Sequence, residues 1–385
     1  MLIQSLFWFS LLFILYVYVL YPLIIKTCSY LFGTHQQPQY LKEVELPTVS
    51  LVIAAYNEEQ VIEQRIMNAL ELDYPSDKLE IIIATDGCTD KTIAIANNYS
   101  SQGISVLIFE SRRGKPSVIN DTIKKAQGDI IVMSDANTMM NPNVIKTLVR
   151  WFRDPTVGTV CGCLKLIDPT NNKNADGIYW TYENEIKKSE GKLRALLGAN
   201  GAIYAIRREI VPVIPSDTLI DDFTIPLLAK IKTGAGIVYD ETAIAYEESS
   251  PNVKSEFYRR VRISSGGAQA VTRLATLLSP RYGWTCYAFL SHKIMRWASP
   301  FFLLIALITN AMLLSTSLYT MTFSFQLLFY SFCFLGNSLN ITGTIGRIIR
   351  VANLFVYVNI AVLIGTFKWL TIHQSGMWDR TARSA

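Results

Sequence analysis

The chain has 385 residues, 50% of them hydrophobic and only 17% charged, with a formal net charge of +5. That charged fraction is well below the ~25% of an ordinary soluble domain, and the mild positive balance contains no basic run of the kind that binds nucleic acid. Three histidines argue against a histidine-based metal site or triad, and six scattered cysteines, of which only Cys161 and Cys163 are close, complete no zinc site and suit a reducing compartment.

Ser5 to Ile25 is apolar and uncharged, and ~20 such residues span a bilayer. Without a basic leader or a small-residue cleavage site it reads as a retained anchor, residues 1–33 with its flank. Lys26 and a polar linker through Gln36-Gln37-Pro38 to Glu45 follow, and the positive-inside tendency places the next domain, residues 46–275, in the cytoplasm.

Within it, four apolar segments read as strands: Val49–Ala54, Leu79–Thr85, Ile104–Phe109 and Asp129–Ser134. Each stops at a polar cluster, respectively Tyr56-Asn57-Glu58, Asp86-Gly87, Ser111-Arg112-Arg113-Gly114-Lys115 and Asp135-Ala136-Asn137. Helical stretches between them predict an α/β fold with a parallel sheet, whose ligands sit beyond the carboxyl ends of the strands. The later segments Thr159–Leu166, Tyr179–Lys188, Gly198–Ile206, Leu219–Lys230 and Gly236–Tyr246 mix short strands with helices. From Ser279 the character changes. Tyr282–Trp297 interleaves aromatics with His292, Lys293 and Arg296, which predicts an amphipathic interfacial segment over 279–297. Ala298–Leu318, Thr322–Ile341 and Val351–Ile372 are three candidate spans over 298–372, followed by a tail at 373–385. If all three span, Arg347 and Arg350 are cytoplasmic and the tail, with Arg380 and Arg383, is outside. If one is interfacial, the topology differs.

The strand-end clusters carry the chemistry. Asp135 and Asn137, two residues apart on a tight turn, either make a solvated turn or offer two oxygens to Mg²⁺ or Mn²⁺ shared with phosphates; Asp86 at an equivalent strand end favours the metal. Gly87 allows a sharp turn after Asp86, Thr89 or Asp90 can cap the next helix, and the Asp86 carboxylate points to a nucleoside, at base or ribose. Arg112, Arg113 and Lys115 precede a helix starting at Lys115 or Pro116, a setting that suits phosphate as well as a plain surface turn. Asp221-Asp222 can supply a general base with a raised pKa, an N-cap, or both. Arg259 and Arg262 share a helix face that suits a diphosphate or anionic lipid.

Together these residues resemble the membrane branch of the inverting glycosyltransferases of family 2, which includes synthases of cellulose, hyaluronan, chitin oligosaccharide and poly-N-acetylglucosamine. The likeness covers roughly residues 47–275, and the flanking apolar segments extend it. It implies a GT-A fold flanked by transmembrane helices, in the plasma membrane with the catalytic domain cytoplasmic. The donor it implies is a UDP-sugar, the metal Mg²⁺ or Mn²⁺, and the acceptor a glycan or lipid-linked molecule.

Residue by residue, Ala55-Tyr56-Asn57-Glu58 resembles the motif that contacts uracil, and Asp86 the acid that binds the nucleoside. Asp135-Ala136-Asn137 resembles the metal motif, often Asp-x-Asp, with Asn137 in place of a second carboxylate. Lys115, Arg259 and Arg262 join the donor set. Gly198-Ala199-Asn200-Gly201 resembles the loop bordering the acceptor. Asp221-Asp222 matches a Glu-Asp pair whose second member is the base, which makes Asp222 the candidate. Ile263 replaces the tryptophan that closes the Gln/Arg-x-x-Arg-Trp motif. Losing that platform favours short or single-step transfer, although Trp180, Tyr258 or Trp297 could stand in for it. Trp378-x-x-Thr381-x-Arg383 is similar to an ending found in this branch. A processive polysaccharide synthase and an inactive membrane scaffold subunit are the alternatives.

Overall fold

A computed structural model describes residues 1–34, 38–167, 178–249, 253–335, 343–372 and 374–377. The described residues within Met1–Thr27, Asn252–Val271 and Phe289–His373 form one compact unit, and those within Cys28–Pro251, Thr272–Ala288 and Gln374–Ala385 the other.

The larger unit is built on one eight-stranded sheet. Strands β1 (Val49–Ala55), β2 (Leu79–Asp86), β3 (Ile104–Phe109) and β4 (Ile130–Asp135) lie in the order β3-β2-β1-β4, all parallel. Beyond β4 the sheet continues through β7 (Tyr204–Arg207), β6 (Val157–Ile167), β8 (Gly236–Glu248) and β5 (Met139–Met140). Strand β7 runs antiparallel to both of its neighbours, so the sheet is mixed.

The parallel half is legible in the sequence because strands covered on both faces need apolar residues at every position. Leu51, Ile53, Ile83 and Val132 face one core, shared with Ile62 and Ile66 of α2 (Ile62–Leu70), Ala96 of α3 (Thr92–Asn97) and Val144 and Leu148 of α5 (Val144–Val149). Val52, Ile82, Ile131 and Met133 face the other, with Ile119 of α4 (Lys115–Lys125) and Ile225 and Ala229 of α7 (Asp221–Thr233). Helix α6 (Ile178–Lys192) packs on β8, where Gly191 lies against Tyr239.

The other unit is helical. In it lie the apolar helix α1 (Leu2–Phe32) up to Thr27, α8 (Val253–Arg273) up to Val271, α9 (Trp284–Ala311) from Phe289, α10 (Ser317–Leu335) and α11 (Gly343–Thr371). Phe13 stacks on Phe302 at 3.9 Å, Tyr16 bonds Ser291 at 2.8 Å, and Tyr18 donates to Asn359 at 3.4 Å. Helix α8 is held closely on two sides: Gly267 leaves room only for the Trp297 indole, and Gly365 of α11 meets the Val261 carbonyl. Small residues at such crossings let helices approach.

Among the described residues three helices are long and apolar enough to cross a membrane: Leu2–Phe32, Trp284–Ala311 and Ile348–Thr371. Trp284 to Ala311 is one continuous helix, so no break separates the expected interfacial segment from the span expected at 298. Ser317–Leu335 is not among the three, and the remainder of the stretch expected to reach Ile341 lies outside the described residues, as do Trp378, Arg380, Thr381 and Arg383.

Candidate active site

The chain lays down β1, β2 and β3 outward in one direction and then returns to place β4 on the far side of β1. That reversal opens a crevice at the carboxyl ends of β1 and β4, the usual ligand position in open α/β sheets. Register sets Ala54 opposite Asp135 and Ala55 opposite Thr85.

Three loops are stitched together along this edge. Asn57, at φ +53, accepts the Thr89 backbone N–H at 2.8 Å and donates to the Thr89 hydroxyl at 3.1 Å, and the Glu58 backbone N–H donates to Thr92 at 2.7 Å. Thr89 is thereby committed to Asn57. The N-cap of α3 is Lys91, not Thr89 or Asp90, although Asp90 just before it accepts the Thr92 N–H at 2.9 Å. Gly87 is required at its position: its φ is +63, and a β-carbon there would stand 2.4 Å from the Arg112 backbone nitrogen.

Asp86 is almost fully buried, and its two carboxylate oxygens accept the backbone N–H groups of Arg113 at 2.7 Å and Gly114 at 2.9 Å. It therefore shapes the turn that starts α4, a role its side chain did not advertise. In that turn the Arg112 guanidinium lies 4.0 Å from the centre of the Tyr56 ring, Arg113 pairs with Asp121 at 3.0 Å, and Lys115 is the first residue of the helix.

Lys115 reaches into a cluster of carboxylates. Its Nζ lies 2.7 Å from Asp135 Oδ1 and 3.6 Å from Asp221 Oδ2. Burial alone would lower its pKa, but Asp135, Asp221 and Asp222 outweigh that and hold it above the ordinary lysine value. The helix carrying the paired acids begins at Asp221 itself, after Ile220, so neither acid is the N-cap. Both sit in the first turn, where the helix dipole favours negative charge. Asp222 accepts the Gly201 N–H at 3.0 Å and the Phe223 N–H at 2.9 Å. Burial, then Asp221 and Asp135, push its carboxyl up to about 6, against the opposing pull of Lys115 and the Gly201 N–H.

The loop Gly198-Ala199-Asn200-Gly201 wraps this acid. Gly198 has φ +80, and a β-carbon on it would strike Phe223 at 2.8 Å, while the Ala199 N–H donates to the Asp222 carbonyl at 2.9 Å. A β-carbon on Gly201 would stand 3.4 Å from Asp222 Oδ2 and 3.5 Å from Asp135 Oδ2. Those two carboxylates thus face the same small space.

One residue of this region escapes a motif search. Arg65 of α2 is fully buried, donating to Ser134 and to Asn68 at 3.2 Å each, directly behind the end of β4. Burial lowers its pKa to about 9, with Asp135 pulling the other way. Its signal is a cation on the apolar face of a helix, between Ile62, Ile66 and Ala69. Arg259 and Arg262 lie on α8 in the helical unit, where Arg259 meets Glu256 at 3.4 Å.

Residues 50–215 match the profile described as glycosyl transferase family 2. Over that stretch the chain carries a glycosyl transferase family 2 domain. Over 243 residues the chain is 28% identical to a probable glycosyltransferase, YdaM, of Bacillus subtilis (strain 168), a match covering 60% of this chain and 57% of that protein. It is 25% identical over 250 residues to the poly-beta-1,6-N-acetyl-D-glucosamine synthase of Staphylococcus aureus (strain COL), covering 62% and 59% respectively. The chain therefore spans less than two thirds of the length of either relative. Its fold is similar to that of the mannosyltransferase PcManGT from Pyrobaculum calidifontis, solved in complex with GDP-Man and Mn²⁺, with a TM-score of 0.72, 18% identity, and coverage of 95% of this chain and 99% of that one. The expected GT-A architecture is thus the observed one.

Proposed function

We propose that this glycosyltransferase moves a sugar from a UDP-sugar to a membrane-associated glycan or lipid-linked acceptor, inverting the anomeric centre to form a β-linkage in exopolysaccharide or glycolipid synthesis. The observation that carries this reading is Asp222. It is a carboxylate with a raised pKa, aimed at the space it shares with Asp135, and held by the N–H of Gly201. A base that titrates near 6 is mostly ionised at neutral pH yet basic enough to accept a hydroxyl proton.

Donor binding is assigned to the stitched edge. Tyr56, Asn57 and Asp86 flank the nucleoside, with Ala55 and Glu58 bounding the loop, and the N-terminus of α4 with Lys115 meets the diphosphate. The donor set Asp135 and Asn137 consists of hard oxygens. The turn between them is closed by the Thr138 N–H on the Asp135 carbonyl at 3.3 Å. Such a pair suits a Mg²⁺ or Mn²⁺ that takes its remaining ligands from the donor's phosphates. Bound there, the ion supplies positive charge for the departing diphosphate. Lys115 supplies the chain's own share of that charge, and Asp222 takes the acceptor proton as the hydroxyl attacks. One displacement inverts the centre, and no sugar–enzyme bond forms.

Three helices able to cross a membrane support a membrane-bound enzyme, with the catalytic unit cytoplasmic by the positive-inside tendency. Short or single-step transfer rests on Ile263, a branched side chain that offers no flat stacking face. Trp297, one candidate replacement, packs its indole on Gly267. The test is purified enzyme in lipid with radiolabelled UDP- and GDP-sugars and gel filtration of the product. A small labelled product from a UDP-sugar is expected. High-molecular-weight polysaccharide would establish the processive alternative, and absence of any transfer from every donor would favour the scaffold.

A further inference from the structure

Lys187 of α6 is half-buried and its ammonium is fixed from two sides. It donates to Asn200 Oδ1 at 2.7 Å and lies 5.8 Å from the centre of the Trp180 ring, two helical turns back on the same face. Asn200 is itself anchored, its Nδ2 donating to the Gly162 carbonyl of β6 at 3.1 Å. The next residue, Gly201, donates to Asp222. Among the described residues Lys187 forms no ion pair, whereas its neighbour Lys188 pairs with Glu241 at 2.8 Å. A half-buried cation held by a neutral amide, with no carboxylate paired to it, retains N–H donors for a further partner.

Its position decides what that charge can meet. The elements given to the donor lie at the ends of β1, β2 and β3, on one side of Asp135. Lys187, Asn200 and Gly162 lie on the other side, toward β7 and β6. A hydroxyl giving its proton to Asp222 must come within about 3 Å of that carboxylate, and its carrier must then extend past Gly201 and Asn200.

We propose that Lys187 is an acceptor-recognising residue, and that the acceptor carries an anionic group, a phosphate or a carboxylate, close to the hydroxyl that is glycosylated, with the Trp180 ring as the apolar wall beside it. The inference rests on Asp222 as the base and names the acceptor chemistry on its far side. A charge-assisted hydrogen bond in such a setting is worth about 10- to 100-fold in affinity.

The experiment uses the full chain in lipid nanodiscs with labelled UDP-sugar and two acceptors of matched chain length, a polyprenyl phosphate and a neutral alkyl glucoside, with an alkyl glucuronide as a third arm to separate phosphate from carboxylate. Wild type is expected to favour an anionic acceptor at least 10-fold in kcat/KM. Lys187→Arg should keep that preference. Lys187→Gln can still donate to Asn200 but carries no charge, and should erase it. Equal use of charged and neutral acceptors by wild type, or a preference that survives in Lys187→Gln, overturns the proposal and leaves Lys187 as a loop-positioning residue. The readout is a ratio within one enzyme, so an Asp222→Asn enzyme of undiminished rate would remove the base assignment without moving it.

Discussion

Lys115 Nζ and Asp135 Oδ1 are 2.7 Å apart, a cation from the first residue of α4 bonded to the last residue of β4. The pair joins the part of the edge assigned to the phosphates to the part assigned to the metal. Since Asp221 lies 3.6 Å from the same ammonium, Lys115 also couples the donor side to the paired acids. On the proposed assignment a single residue would contribute both to leaving-group charge and to the acidity of the base.

Lys115→Met should consequently show two effects at once. Loss of positive charge at the leaving group should reduce kcat/KM by about 10²-fold, the scale of one electrostatic contact in a preorganised site. Lys115 also lowers the pKa of Asp222, so the acidic limb of the pH–rate profile should move upward in the variant. A profile with the wild-type limb would detach Lys115 from the base.

Asp222→Asn should lower kcat by about 10²-fold or more while leaving donor affinity near normal. In wild type the acidic limb should fall near pH 6, because the base works ionised and its carboxyl is pushed up to about 6. The same shift has a cost in stability. The folded pKa lies above the ~3.9 of an unfolded Asp, so the contribution of this group is fully present below about pH 4 and is lost as pH rises through 6. The melting temperature of Asp222→Asn should accordingly fall less than that of wild type between pH 5 and pH 8. An identical fall in both would argue that the acid ionises freely in the fold.

Much of this arrangement was readable before any coordinates. The four parallel strands run as expected to within a residue, since a sheet covered on both faces writes itself as unbroken apolar runs, and Lys115, the earlier of two expected starts, opens α4. What stayed hidden depends on contacts that leave no pattern. Asp86 bonds backbone amides 27 and 28 residues away, and an amide has no side-chain signature. The start of α7 at Asp221, which leaves neither acid as the N-cap, goes with the packing of Phe223 against Gly198. Arg65 and Lys187 each look like ordinary helix charges until the fold shows what their helices face.

For the metal, activity should vanish with a chelator and return with Mn²⁺ or Mg²⁺. Asp135→Ala should abolish that recovery. Asn137→Asp should retain activity and require less metal for half-maximal rate, because a second carboxylate suits a hard cation better than an amide oxygen. Full turnover in chelator would leave Lys115 as the sole leaving-group cation.

Two glycines separate backbone strain from steric clash. Gly103 (φ +91) and Gly87 (φ +63) are both left-handed, but a β-carbon on Gly103 meets nothing within 4 Å, whereas one on Gly87 stands 2.4 Å from the Arg112 nitrogen and 2.9 Å from its α-carbon. Gly103→Ala therefore carries only the conformational penalty, about 1 kcal/mol, and should keep its donor affinity. Gly87→Ala must also push the Arg112 turn away from β2, and the Asp86 bonds to Arg113 and Gly114 run through that turn. It should lose more stability, by about 1–3 kcal/mol further, and should weaken donor binding, since the turn positions Lys115. Denaturant midpoints and donor titrations on the two variants decide it. Equal destabilisation with equal donor affinity would mean that the turn after β3 tolerates displacement, and that the donor does not depend on it.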